Sequence, residues 1–185
     1  MKGFTRTETR FSLCGLQCGL CTMHLGGYCP GCGGGVGNQS CAIAHCSLEH
    51  GEIQFCWECP EYPCSRYEGF DDGDSFAPHR NRRQDIVQAR ELGLEAFVAR
   101  QAEKRTILDE LLAHYNDGRR KTLFTTAVYL LPLEELLTVM NALESRPELT
   151  GKSIKERALA AVDLLQKTAD RQGIKLKLNK KPKKG

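Results

Sequence analysis

Beyond Cys64 the chain contains no cysteine: all ten lie between Cys14 and Cys64, and the last 121 residues have none. Long hydrophobic runs are also missing. The longest apolar stretch, LFTTAVYLLPLEELL, is interrupted by Pro132, Glu134 and Glu135 and falls short of the roughly 20 apolar residues of a membrane span. No apolar segment follows the charged start MKGFTRTETR, so a secretory signal is not expected and the protein is expected to be cytoplasmic, without membrane contact. In a reducing compartment thiols stay open unless something claims them, which argues against a disulfide framework. Larger apolar side chains are scarce between Cys14 and Cys64. Burial at roughly 25 cal/mol per Å² would there struggle to offset about 1–2 kcal/mol of entropy per ordered residue. A staple is therefore expected in that half.

Several catalytic signatures are absent as well. The GKS at Gly151 has Arg146 where a phosphate-binding loop needs glycine, and GCGGGVG lacks the strand before it and the helix after it that dinucleotide binding requires. No HExxH occurs. The segment DDGDSFAPHR does not match the calcium-loop pattern with its later glutamate and reads as a solvated connector. No catalytic residue is assigned; a cysteine left outside a metal cage, near His24 or His45, is the remaining candidate nucleophile if its pKa falls.

What the sequence does contain is a ladder of thiols: Cys14, Cys18, Cys21, Cys29, Cys32, Cys41, Cys46, Cys56, Cys59 and Cys64. Three CxxC pairs stand out, at 18/21, 29/32 and 56/59. Two intervening residues let a tight turn aim both sulfurs at one cation, about 2.3 Å away for zinc, and two pairs close a tetrahedron. Two zinc ions held by eight of the ten cysteines are expected, with a chiefly structural role, since an all-cysteine site has no open position. One grouping is 18, 21, 29, 32 with 41, 46, 56, 59; an interleaved grouping would use Cys14 or Cys64 instead. Cysteine–proline pairs at Cys29 and Cys59 keep an iron–sulfur cluster or thiol redox chemistry as the alternative, although the compact CxxCxxC run is missing. His24, His45 and His50 are secondary candidates as ligands or supporting contacts. In YCPGCGGGVGNQSC the glycines are expected to let the chain leave a metal turn at Cys29 and Cys32 and reach Cys41. Trp57 is expected to pack over a metal turn.

The expected fold is a small metal-stabilised cysteine-rich module with little regular structure, followed by a mainly α-helical domain. Its boundaries are residues 11–70 for the module, 71–80 for a linker, 81–172 for the helices and 173–185 for a flexible basic tail. Beyond the linker the apolar period becomes helical. Asn81 with Gln84, and Ser153 with Glu156, form reciprocal cap patterns. Gly93 should interrupt or bend the first helix, and Asn116, Asp117 and Gly118 should stop its continuation. Leu123 to Leu131 fits a buried helix or a strand, Pro132 suits a first helical position, and Leu133 to Leu143 continues as an amphipathic helix.

Charge divides along the same line, with −4 over residues 1–80 and +7 over 81–185. Two tetrathiolate sites each holding a 2+ ion would take the first half to about −8. Arg119, Arg120 and Lys121, with Lys175, Lys177, Lys180, Lys181, Lys183 and Lys184, would attract phosphate without much sequence choice, so nucleic acid is an alternative partner. The tail lacks aromatics for base stacking. A protein partner, met by the cysteine half or a helical face, is the leading expectation.

The run CGLQCGLC, followed by YCPGC, CAIAHC and FCWECPEYPCSRYEGF, resembles the DUF3795 family of cysteine-rich bacterial and archaeal proteins. The resemblance covers residues 11–70 tightly, through Cys14, Gly15, Leu16, Cys18, Cys21, Cys29, Gly31, Cys32, Cys41, Cys46, Cys56, Cys59, Pro63 and Cys64. It implies zinc binding and a module with these bounds, and it implies no particular reaction. Some relatives carry a further CxxC after the segment equivalent to Leu94–Lys104, which this chain lacks.

Overall fold

The computed structural model describes residues 3–35 and 41–180. Two compact units form, one from Met1–Ala99 with Leu178–Gly185 and the other from Arg100–Lys177. Among the described residues there is no strand, only an isolated antiparallel bridge between Phe11 and Gln17.

In the first unit, a 3-10 turn at Cys18–Leu20 leads into α1 (Thr22–Leu25); α2 (Ala42–Glu49) follows, then 3-10 turns at Cys56–Glu58 and Ser65–Tyr67, then α3 (Arg82–Leu92). Gly93, at φ 83°, ends α3 where an L side chain would be strained, and α4 (Leu94–His114) begins at the next residue. The first turns of α4 belong to this unit and the rest to the second.

The core of the first unit corrects the expected architecture. About 55% of the described residues are helical, and seven of the ten cysteines lie within helical turns or at their ends rather than in a separate, sparsely structured module. Cys18, Cys46 and Cys56 are inside turns, while Cys21, Cys41, Cys59 and Cys64 occupy cap positions. Phe11 and Phe55 share one buried cluster with Ile86 and Ala89 of α3 and Phe97 and Val98 of α4. Phe4, Leu13, Ile43, Ala44 and Tyr67 form another. The apolar residues between Cys14 and Cys64 are indeed few, but residues before and after that window complete their burial. Proximity in sequence underestimated the core.

The linker reading is corrected as well. Asp74, Ala77 and His79 are buried. The Asp74 carboxylate accepts the His79 backbone N–H at 2.7 Å and the Asn179 backbone N–H at 2.7 Å, and it pairs with Arg80 at 3.1 Å. Asp74 N–H donates in turn to the Asn179 carbonyl at 3.0 Å. Its acid therefore serves as an internal acceptor for backbone donors that burial would otherwise leave unpaired. This contact also fixes Asn179 within the segment expected to be a flexible tail. Lys181, Lys183 and Lys184 lie outside the described residues, as do Val36 to Ser40 of the glycine-rich stretch.

In the second unit, α5 (Lys121–Leu130), α6 (Leu133–Glu144) and α7 (Ile154–Arg171) follow the remainder of α4, with α7 packing against α5 and α6. The ambiguous Leu123–Leu131 segment is thus helix up to Leu130, buried on nearly every side. Pro132 is the N-cap of α6 rather than its first helical residue. Asn116 Oδ1 accepts from the Gly118 and Arg120 backbone N–H groups, closing the expected turn. Asn81 does precede α3, yet its side chain makes no cap hydrogen bond. Ser153 and Glu156 do form the reciprocal box: Glu156 N–H donates to Ser153 Oγ at 3.3 Å and Ser153 N–H to Glu156 Oε2 at 3.0 Å.

Two outcomes follow from this packing. Phe11→Ala should destabilise the protein by about 3–5 kcal/mol and red-shift the emission of Trp57, the sole tryptophan, whose ring lies 6.0 Å from Phe11; denaturation followed by fluorescence checks both. The Ser153 hydrogen bond, with Lys152, holds the Glu156 carboxyl down at about 2 from its ordinary 4.5. The carboxylate's support of α7 is therefore present above the ordinary range and lost as pH falls through about 2. NMR titration should show that low midpoint, and Ser153→Ala should move it back toward 4.5.

Candidate metal centre

Local turns set the thiols in place. Cys21 N–H donates to the Cys18 carbonyl at 3.0 Å and Cys59 N–H to the Cys56 carbonyl at 3.1 Å, so two of the CxxC pairs are closed by 3-10 bonds. The third is positioned from outside: Cys32 N–H donates to the Thr9 carbonyl at 3.0 Å, and Arg6 N–H to the Gly33 carbonyl at 3.2 Å. Gly33, at φ 82°, lies so close to Arg6 that a Cβ there would sit 2.8 Å from the Arg6 Cβ. Its lack of a side chain lets the two segments meet. The path from Gly35 to Cys41 falls outside the described residues.

Nine of the ten thiols gather around two cavities. The larger, about 190 Å³, is lined by Cys14, Cys18, Cys29, Cys32 and Cys41, with Leu13, Ile43 and Phe70 among its apolar walls. The smaller, about 20 Å³, is lined by Cys46, Cys56, Cys59 and Cys64, with Tyr62 and Tyr67. Cys21 lines neither. Cys14 lines the larger cavity and Cys64 the smaller. The two regions are joined by the Cys56 N–H, which donates to the Leu13 carbonyl at 2.9 Å.

Burial controls the state of these groups. It pushes the Cys14 thiol up to about 11 and that of Cys56 up to about 12. Cys18 and Cys32 are raised for the same reason. Ser12 Oγ lies 3.3 Å from the Cys14 sulfur and partly offsets its shift. Tyr67, its hydroxyl buried beside the Cys56 thiol, is raised by burial and by that contact. Such thiols keep their protons at neutral pH until a cation displaces them.

All ten cysteines are free thiols. Among the described residues no three Cys, His, Asp or Glu side chains converge closely enough to hold an ion. The donor type and number fit a soft metal, and ligation at about 2.3 Å requires wall thiols to turn inward. The histidines stand aside from both cavities. His24 Nδ1 lies 3.0 Å from the Cys29 carbonyl, and His50 Nδ1 lies 2.8 Å from the Cys46 carbonyl and 3.6 Å from its sulfur. His45 is exposed on α2. Trp57 stacks on Phe55 at 4.1 Å, making it a core contact at the Cys56–Glu58 turn.

Two residues that spacing does not mark stand beside the thiols. Arg6 is buried, its guanidinium over the Phe55 ring and reaching the Cys32 carbonyl at 3.4 Å. Arg82, fully buried, lies over Tyr67 at 4.3 Å and Phe70 at 4.0 Å, with Asp71 as its carboxylate partner at 2.5 Å. No periodicity or motif could have found them, because each is placed by contacts far along the chain. In the basic half, Arg120 pairs with Asp117 at 3.6 Å. Among the described residues, no helix is long and apolar enough to cross a membrane.

Alkylation of the reduced, folded protein should label Cys41 first, because it is exposed, and Cys14 and Cys56 last, because both are buried. Peptide mass spectrometry after a short iodoacetamide pulse at neutral pH checks this order.

No family model, no curated protein and no solved structure matches this chain.

Proposed function

We propose that the cysteine half binds zinc in two thiolate sites, one at each cavity, and that the metals serve chiefly to hold the fold around a surface for a protein partner. The observation that carries this reading is the gathering of nine thiols, spread over fifty residues of sequence, around just two cavities in one unit. Thiolates favour soft or borderline cations, and four of them leave zinc no open position for Lewis-acid chemistry. The smaller cavity offers four cysteines, the number that a closed tetrahedral site uses. The resemblance of the cysteine spacing to the DUF3795 family supports the same choice of metal. Tyr28, 75% exposed and adjacent to Cys29, is the aromatic side chain best placed to meet a partner.

One observation favours a second reading for the larger cavity. With five cysteines and about 190 Å³, it has room for a polynuclear iron–sulfur cluster. No comparable feature favours nucleic-acid binding by the basic half among the described residues.

Metal analysis and a visible spectrum of anaerobically purified protein separate these readings. About two zinc ions per chain and no visible band are expected; stoichiometric iron and sulfide with a broad visible band would replace zinc by the cluster, and neither metal would overturn both. Because the buried thiols carry protons, zinc uptake by metal-free protein should release about four protons per site, and affinity should fall as pH falls. Titration in weakly buffered solution reads both effects.

A further inference from the structure

We propose that Arg6 supplies the counter-charge of the larger cysteine cavity, holding Cys32 as a metal-bound thiolate. The inference rests on the metal-binding reading above and assigns a positioning residue to one of its two sites.

The starting observation is a buried cation without an acid. Arg6 is 7% exposed, and among the described residues no carboxylate pairs with it. Its Nε donates to the Gln54 carbonyl at 2.8 Å, and Nη1 donates to the carbonyls of Phe11 at 2.9 Å and Cys32 at 3.4 Å. Nη2 is buried with no partner. Neutral carbonyls and the Phe55 ring, 4.6 Å from Cζ, stabilise a guanidinium but do not neutralise it. Buried charges that persist in proteins are paired. Arg82 shows the contrast within the same unit, since its guanidinium has the Asp71 carboxylate.

The acceptor that Arg6 lacks is adjacent. Its backbone bonds Gly33 and its guanidinium bonds the Cys32 carbonyl; both residues line the larger cavity. A metal-bound thiolate at Cys32 would give Nη2 an anionic acceptor, and N–H···S donation orients the sulfur as outer contacts orient other ligands. Four thiolates on one divalent ion leave a net charge of about −2, which a buried guanidinium offsets. Arg6 also reaches Gln54, two residues before Cys56, so the same side chain ties the turn of one cavity to the approach of the other. Arg6 stands behind Cys32 and Gly33 rather than in the wall of the larger cavity, whose lining has no basic residue of its own, whereas the smaller cavity already has Arg66 in its lining.

The test uses the full chain, with zinc as the probe, measured by metal analysis and by competition with a chromophoric chelator. Arg6→Met removes the charge while retaining bulk, and Arg6→Lys retains the charge without the planar fork. One of the two ions in Arg6→Met should bind about 10–100-fold more weakly, with the other unchanged, and Arg6→Lys should recover part of the loss. In Arg6→Met, Cys32 should also become alkylated in the presence of zinc while Cys56 and Cys59 stay protected. Unchanged competition curves in Arg6→Lys and Arg6→Met would overturn the proposal, whatever their thermal stability, and leave the metal reading standing. Equal weakening of both ions would overturn it too, marking Arg6 as a general structural residue. Should Arg6→Met not fold, Arg6→Gln, neutral but still a hydrogen-bond donor, takes its place: selective weakening of one ion supports the role, and a wild-type curve removes it. Wild-type protein that takes up no zinc would overturn this inference and the reading beneath it together.

Discussion

The ring of Phe11 joins parts of the chain that sequence keeps far apart. It lies 5.9 Å from Phe55, 6.0 Å from Trp57 and 4.7 Å from Phe97, and it is almost completely buried. Through it the residues before the first cysteine, the turn carrying Cys56 and Cys59, and the start of α4 share one apolar cluster. Aromatic burial of this kind contributes about 25 cal/mol per Å² and is not directional. It therefore fixes which segments approach without dictating where their polar atoms point. The backbone bonds from Cys56 to Leu13 and from Cys32 to Thr9 then set the register of the thiol-bearing turns.

That division of labour explains how charge and thiols occupy the same interior. Around the rings, backbone meets part of the polar requirements: Arg6 donates to carbonyls of Phe11, Cys32 and Gln54, and Asp74 accepts from His79 and Asn179. His79 itself is held with Nδ1 3.0 Å from the Phe70 carbonyl and Nε2 2.9 Å from Ser75 Oγ, while its ring stacks on Phe70. The thiols, weak hydrogen-bonding groups, line the space that remains. Their burial raises Cys14, Cys18, Cys32 and Cys56 together, which couples the state of the cavities to whatever cation replaces their protons.

Legibility varied with the range of the determining interaction. The helices beyond Arg80 could be read because their signals are local: Gly93 at φ 83°, the Asn116 side chain capping the next turn, and the Ser153–Glu156 box each act within four residues. Pro132 was displaced by one position, to the cap of α6, within the ordinary fraying of helix ends. The linker failed as a reading because Asp71, Asp72 and Asp74 look alike in sequence. Only Asp74 is buried, and the partner that makes this possible is Asn179. The expected separate cysteine module failed for a related reason: Ile86, Ala89 and Phe97 complete its core from beyond its supposed boundary.

By itself, then, the sequence determined the turns, caps and helical stripes, and the presence of a thiol set too dense for chance packing, because these follow from neighbouring residues and side-chain chemistry. The tertiary structure decided how the thiols divide between two cavities, why Cys21 lines neither, and where Arg6 and Arg82 come to rest. Those outcomes depend on contacts between segments tens of residues apart. The apolar burial that brings such segments together carries no signature in the spacing of the cysteines.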